Sequence, residues 1–160
     1  MKTVISRAMA SSLLAALLAL GATPARAEEF YRLAGRYAIF AVVESVDRAL
    51  AQAPGREAAR MHGGPDFRHI THHVRVVLFD ASSGERIGDA RVSAKVSAAG
   101  LDPQQRRLDP MGLKGGASYG AYFTLRNETT YRIELAIAGR DDPRPASAVF
   151  EYAHRFGMLN

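Results

Sequence analysis

Histidine is concentrated in one short part of this sequence. His62, His69, His72 and His73 lie within twelve positions, and Met61 precedes the first of them. Imidazole nitrogens bind copper, zinc and iron, and thioether sulfur is a soft donor that favours copper, especially Cu(I). The spacing matches no closed ligand motif such as HExxH. The cluster therefore fits two interpretations, a transition-metal site or a solvated polar loop.

The last two of these histidines begin a segment of alternating apolar residues. Val74, Val76 and Leu78 share one face of the predicted strand, whereas His73 and Arg75 share the other. Because an arginine is rarely buried, the Val74 face is predicted to be the core side. Neighbouring strand residues project to opposite faces, so His72 and His73 are poorly placed to serve one compact site. His73 is the preferred ligand, and His72 is assigned to the edge of the strand.

A second motif, 116-GASYG-120, fits the G-x-S-x-G pattern of serine hydrolases. That pattern carries catalysis only where a strand turns sharply into a helix and a downstream acid and histidine complete a triad. Here 121-AYFTL-125 is typical of a strand, and His154 is the only downstream histidine. The motif is therefore interpreted as a glycine turn between strands, and the chain is predicted not to be an enzyme.

The first 27 residues have the pattern of an export signal. Lys2 and Arg7 form a positive start, 13-LLAALLAL-20 an apolar centre and 25-ARA-27 a cleavage site. The apolar run is too short to span a membrane, so no membrane insertion is expected. We therefore expect a periplasmic or secreted protein whose single domain covers 28–160, a length that suits one hydrophobic core.

Charge and cysteine content narrow the function classes further. The formal net charge of +5 includes three basic residues of the signal, so the mature chain carries about +2. No run of basic residues interleaved with aromatics supports nucleic-acid binding. Since the sequence contains no cysteine, it offers no disulfide, no thiolate metal ligand and no lipid-anchor cysteine.

The rest of the chain is predicted to consist of short strands. After a mixed segment (28–36), an apolar run is followed by a helical turn (47–53), a long loop (56–69) and further strands, with a glycine-rich turn at 112–118. Six or seven short strands with regular turn signals predict an all-β fold, an antiparallel immunoglobulin-like sandwich of about seven strands. The predicted strands are 37–46, 73–80, 90–96, 106–111, 119–125, 131–137 and 147–154.

One segment, 109-DPMGLKGGASYGAYFTL-125, resembles a known family. These are periplasmic iron-transport proteins that accompany high-affinity iron permeases and bind copper on an immunoglobulin-like sandwich. Pro110-Met111 and Tyr119-Gly120 match the family's segment in order and spacing. The early apolar strand, the His-bearing strand and a closing aromatic strand (148-AVFEY-152) follow in the same order. The resemblance implies copper binding, a homodimer and an inner-membrane iron permease as partner.

The resemblance also implies a ligand set, which this chain has only in part. His73 matches the family's strand histidine, and Met111 matches its methionine. Ser118 stands where the next histidine should be, and Arg75 stands where an acidic residue is expected. The late loop 138–145 has no histidine.

Two functional hypotheses follow from these matches. In the first, a periplasmic protein holds a copper or iron ion with His73 and Met111, completed by Met61, His62, His69 or His72 or by a second subunit, and assists iron uptake or metal handling. In the second, the ligand site is lost, and the domain binds a protein partner through its loops without any metal.

Overall fold

A computed structural model of the chain describes residues 28–52, 71–113, 116–140 and 145–155. Within these ranges the chain forms eight strands and one short helix. The elements are β1 (Glu28–Ala34), β2 (Tyr37–Ser45), α1 (Val46–Gln52), β3 (His72–Asp80), β4 (Arg91–Ser97), β5 (Gln104–Leu113), β6 (Gly116–Phe123), β7 (Thr129–Ala138) and β8 (Ala146–His154).

All eight strands belong to one antiparallel sheet with the order β1-β2-β3-β6-β5-β4-β7-β8. Strand β5 changes partner along its length, since Leu108 pairs with Val92 of β4, whereas the next residue, Asp109, pairs with Gly120 of β6. The sheet curls so far that its two edge strands meet, with the Phe30 and Phe150 rings 5.4 Å apart. The architecture is therefore nearly a barrel.

The core fills the inside of this curled sheet. Strict alternation directs every second side chain of each strand inward, as in β7, where Tyr131, Ile133, Leu135 and Ile137 are all buried. Val74, Val76 and Leu78 are fully buried, which confirms the predicted core face of β3.

The all-β prediction is confirmed, but the prediction of a sandwich of about seven strands is not. The additional strand, β1, lies in the segment 28–36, where Arg32 interrupts the apolar alternation. The Arg32 guanidinium carbon lies 5.5 Å from the centre of the Phe150 ring, at the gap between the edge strands. The connection predicted as a glycine-rich turn at 112–118 is shorter than predicted, because β5 continues to Leu113 and β6 begins at Gly116.

Helix α1 is short and matches the predicted helical turn to within one residue. The Ser45 hydroxyl oxygen accepts a bond from the Arg48 amide (3.4 Å), as a helix-capping residue does. In the described part of the chain, no helix is long and apolar enough to cross a membrane.

The turn after β3 is organised by the Asp80 carboxylate. Its Oδ1 atom accepts bonds from the Ser82 hydroxyl (2.5 Å) and from the Ser82 and Ser83 amides (3.0 and 3.1 Å), and its Oδ2 atom accepts one from Arg36 Nη2 (2.7 Å). These bonds stabilise the charged carboxylate, so the pKa of Asp80 falls well below its ordinary value of 3.8.

We expect Asp80→Asn to lower the melting temperature most clearly above pH 5. Because the pKa of Asp80 is lower in the folded state, its carboxylate stabilises the fold at pH values above its ordinary pKa of 3.8. This contribution is lost as the pH falls through the folded-state pKa. The gap between wild type and variant should therefore narrow towards pH 3, as thermal unfolding followed by circular dichroism would measure. Asp102→Asn, in another exposed turn, should give little change at any pH, and a pH-independent gap for Asp80→Asn would contradict the assignment.

Candidate metal centre

Three polar side chains form a row across the outer face of β2, β3 and β6. The strand register pairs Glu44 with His73 and His73 with Tyr122. All three lie on the face opposite the Val74 core side, yet all three are buried. Glu44 and His73 are each only 4% exposed, so this part of the outer face is shielded from water.

A glycine beside this row leaves space for two donor atoms. Gly120 pairs with Arg75 of β3 and with Asp109 of β5. A methyl group added at Gly120 would lie 2.5 Å from His73 Nε2 and 2.6 Å from Met111 Sδ. Both atoms thus lie close to the point that a Cβ atom of residue 120 would occupy. The two distances limit the separation of His73 Nε2 and Met111 Sδ to about 5 Å. The structure brings together the imidazole and the thioether that the sequence selected.

The Glu44 carboxylate lies behind the imidazole. Its Oε1 atom is 3.6 Å from His73 Nδ1. A carboxylate on that side favours the tautomer with the proton on Nδ1, which leaves the Nε2 lone pair directed towards Met111. The other oxygen, Oε2, is buried and has no hydrogen-bond partner among the described residues. Because a buried carboxylate is costly without compensation, this arrangement favours a nearby cation.

Tyr122 closes the row on the other side of the histidine. Its ring centroid lies 4.9 Å from that of His73. Burial, and then the neighbouring Glu44 charge, raise the pKa of the Tyr122 hydroxyl above 10.0. Tyr122 therefore stays neutral near physiological pH.

Arg75 and Ser118 occupy the two positions where the resemblance predicted further ligands. Ser118 is buried directly opposite Met111, and its hydroxyl lies 3.5 Å from the Met111 carbonyl oxygen. Arg75 is half-buried, and its Nε atom has no hydrogen-bond partner among the described residues. A guanidinium here weakens the attraction for a metal cation, and Glu44 on the neighbouring strand supplies the carboxylate that position 75 lacks.

His72 lies on the opposite face of β3 from His73. It is buried on the core side, where its ring centroid is 4.3 Å from that of His154. Its Nδ1 atom is 2.8 Å from the Thr71 hydroxyl oxygen. Burial, and then the neighbouring His154, lower the pKa of His72 from 6.5 to about 4. His72 is thus the first residue of β3, in agreement with its assignment to the edge of the strand, and the structure does not bring it to the His73–Met111 pair.

The remaining predicted ligands, Met61, His62 and His69, lie outside the described residues, so their part in the site stays a prediction. Within the described ranges, no three side chains of the His, Cys, Asp and Glu types are close enough to hold a metal together. The convergent donors are therefore one imidazole and one thioether, with a carboxylate behind the imidazole.

Three residues that shape the environments of His73 and His72 were not predicted from the sequence. They are Glu44, Gly120, whose missing side chain leaves space for the two donors, and His154. Glu44 is the only charged residue in 37-YAIFAVVESV-46, and a lone carboxylate in an otherwise apolar predicted strand was a usable signal. His154 carried no such signal, because its partner is on a strand that is not its neighbour.

The donor set fits a copper ion better than a hard cation. Thioether sulfur is a soft ligand that suits Cu(I), and imidazole binds both common oxidation states of copper. The space over Gly120 and the unpaired Glu44 oxygen provide room and negative charge for a cation. His73 and Met111 would hold the ion, and Glu44 would orient His73 from behind.

The curled antiparallel sheet is a fold that this chain shares with bacterial proteins solved with bound copper. One similar structure is a copper-bound variant of FetP from uropathogenic Escherichia coli (TM-score 0.58, 15% identity, covering 79% of this chain and 97% of FetP). Another is copper-reconstituted P19 from Campylobacter jejuni (TM-score 0.60, 10% identity, covering 78% and 92%).

A DUF4426 family protein from Pseudomonas aeruginosa has the same fold, with a TM-score of 0.64, 13% identity, and coverage of 79% of this chain and 94% of that protein. No protein-family model matches the sequence, and no curated protein is significantly similar to it in sequence. The resemblance seen in the sequence is thus confirmed as a likeness of fold to FetP and P19.

Thr71 fixes the environment of His72, and its removal should be measurable as lost stability. Its hydroxyl donates to the Leu125 carbonyl oxygen (3.0 Å) and accepts from the Leu125 amide (2.8 Å). We expect Thr71→Val to lower the free energy of unfolding by about 1–2 kcal/mol, since each such bond contributes about 1 kcal/mol.

Urea unfolding would measure the effect, with Thr129→Val as the matched control. The Thr129 hydroxyl makes one exposed bond to the Asn127 carbonyl oxygen, so its loss should cost less than about 0.5 kcal/mol. Equal effects of the two substitutions would contradict the role given to Thr71.

Proposed function

We propose that this chain is a periplasmic copper-binding protein that handles copper, iron or both and assists iron uptake through an inner-membrane permease. The metal is bound and passed on and is not chemically converted. The observation that carries the proposal is the convergence of His73 Nε2 and Met111 Sδ over Gly120. The likeness of fold to FetP and P19, both solved with copper, supports it. The signal-like first 27 residues support the periplasmic location.

The site holds its ion with few ligands, which suits transfer better than storage. His73 is fixed by Glu44 and Tyr122, whereas the thioether of Met111 is on a flexible side chain. The rigid imidazole therefore defines the position of the ion, and the mobile sulfur can open the site for release. Because the protein supplies two convergent donors, the remaining positions stay available to water, to a loop side chain or to a receiving protein.

We expect Gly120→Ala to weaken Cu(I) binding at least tenfold. The added methyl group would occupy the space between His73 Nε2 and Met111 Sδ and force them apart. Competition with a chromophoric Cu(I) chelator would measure the affinity. The matched control is Gly112→Ala, on the neighbouring strand, where an added methyl group meets no atom within 4 Å.

Met111→Leu tests the sulfur without changing the side-chain volume greatly. We expect it to weaken Cu(I) more than Cu(II), because the thioether is the soft donor, and to change the unfolding free energy by less than about 1.5 kcal/mol. If Gly120→Ala and Met111→Leu both bind copper as tightly as wild type, the copper proposal is wrong, and the domain binds a partner without a metal.

The outer face next to the metal centre supports a homodimer. Tyr31, Leu33 and Phe40 are 48%, 63% and 44% exposed, and the Phe40 ring contacts those of Tyr31 and Phe79 (4.8 and 5.6 Å). Contiguous exposed aromatics are typical of protein interfaces. Phe40 and Glu44 share a face of β2, so a second copy bound here would lie beside the metal centre and could add donors to it.

We expect Phe40→Ser to shift the protein from dimer to monomer at micromolar concentration, because the substitution removes the centre of the aromatic surface. Sedimentation equilibrium would measure the change. Ala136→Ser, a polar substitution at an exposed position of β7, is the control and should leave the dimer intact. A monomeric wild type, or a Phe40→Ser variant that dimerises as well as wild type, would exclude this surface as the dimer interface.

A further inference from the structure

A second pair of imidazoles lies inside the curled sheet, away from the His73–Met111 pair. His72 shares the inner face of β3 with Val74, and His154 shares the inner face of β8 with Phe150 and Tyr152. Strands β3 and β8 are not paired, so the two rings meet across the interior, near its end. Their centroids are 4.3 Å apart, and their planes are inclined at 76°.

The hydrogen bonds of Thr71 indicate which ring nitrogen of His72 keeps a lone pair that could bind a metal. The Thr71 hydroxyl has one proton, and it donates this proton to the Leu125 carbonyl oxygen. With that proton donated to Leu125, the imidazole is the donor in the contact with His72 Nδ1, which favours the tautomer with the proton on Nδ1 and the lone pair on Nε2. This is the arrangement found in metal-binding histidines, where one ring nitrogen donates to a protein group and the other binds the ion.

His154 has a similar second contact on its Nδ1 atom. The Tyr152 hydroxyl lies 3.4 Å from this nitrogen, and the two rings are stacked with centroids 5.9 Å apart. Neither the His72 nor the His154 Nε2 atom has a hydrogen-bond partner among the described residues. The negative charge of Glu128 acts on the His154 ring, because it opposes the lowering of the His154 pKa by burial.

We propose that His72 and His154 form a second transition-metal site, which binds an imidazole-seeking divalent ion such as Cu²⁺ or Zn²⁺ through both Nε2 atoms. The ring centroids are 4.3 Å apart, so the two imidazoles need to separate by only about 1 Å for one ion to reach both Nε2 atoms at metal–nitrogen distances of about 2.0–2.1 Å. Water completes the coordination, and the Tyr152 hydroxyl stays at His154 Nδ1. The donors are nitrogen and oxygen, so the site differs in metal preference from the sulfur-containing pair on the outer face.

The test uses the full chain with Gly120→Ala, which closes the outer pair and leaves the inner pair unchanged. Isothermal titration with Zn²⁺ and with Cu²⁺ should still show binding to this variant. Adding His154→Phe should weaken it at least tenfold, while Phe retains a ring against His72 and Tyr152. Circular dichroism and thermal unfolding would verify that the double variant is folded. Equal affinity of the single and double variants would overturn the proposal.

Nuclear magnetic resonance of the imidazole nitrogens gives an independent readout that requires no substitution at His154. In the metal-free protein, His72 should show the tautomer with the proton on Nδ1. Added Zn²⁺ should shift the Nε2 signals of both His72 and His154 in the Gly120→Ala variant. A His72 ring with its proton on Nε2, or Nε2 signals that do not respond to Zn²⁺, would contradict the proposed site.

The outcomes also separate this site from the outer one. If wild type and Gly120→Ala bind copper equally, the His73–Met111 proposal fails, yet the effect of His154→Phe still decides the inner site. If Gly120→Ala weakens Cu(I) binding and His154→Phe changes nothing, only the outer site exists.

Discussion

The register of β3 between β2 and β6 is the constraint on which both histidine environments depend. Side chains alternate along a strand, so a shift by one residue would exchange the faces of His72 and His73. The fully buried Val74, Val76 and Leu78 prevent this shift, because it would turn three core side chains outward. The hydrophobic core thereby directs one imidazole towards Glu44 and Met111 and its neighbour towards His154.

The outer site combines two buried polar side chains, Glu44 and His73, with a glycine, Gly120, that leaves space beside them. Glu44 and His73 are withdrawn from water on a face where β-sheets commonly carry solvated residues. Among the described residues, one oxygen of the buried Glu44 carboxylate has no hydrogen-bond partner, and a bound cation would offset the cost of that burial. Gly120 contributes by lacking a side chain, since any Cβ atom at this position would separate the imidazole from the thioether.

Much of the fold could be predicted from the sequence because most strands alternate clearly. The core faces of β3 and β7 follow directly from their buried apolar residues at every second position. Strand β1 was not predicted because Arg32 interrupts its apolar alternation. Arg32 occupies an inward position at the gap between the edge strands, where its guanidinium lies over the Phe150 ring and can also reach water. The glycines around 112–118 suggested a long turn, yet Gly112 and Gly116 lie within paired strands.

The candidate sites were less predictable, because they depend on pairings between distant segments. His73 and Met111 were identified by residue type and by resemblance, and the fold brings them together through β6, which lies between their two strands. Glu44 becomes relevant only once the β2–β3 register is known, and His154 only once the sheet curls far enough for β8 to face β3. Local sequence patterns carry no information on that curvature.

Arg75 makes the outer site chemically different from a site in which position 75 carries a carboxylate, as the family resemblance implies. Glu44 approaches His73 at Nδ1, so its charge acts through the imidazole, whereas position 75 lies two residues along β3 from His73 and pairs with Gly120. The guanidinium at that position instead repels a second cation. For the proposed copper site, the guanidinium would add to the preference of the Met111 thioether for one soft, singly charged ion.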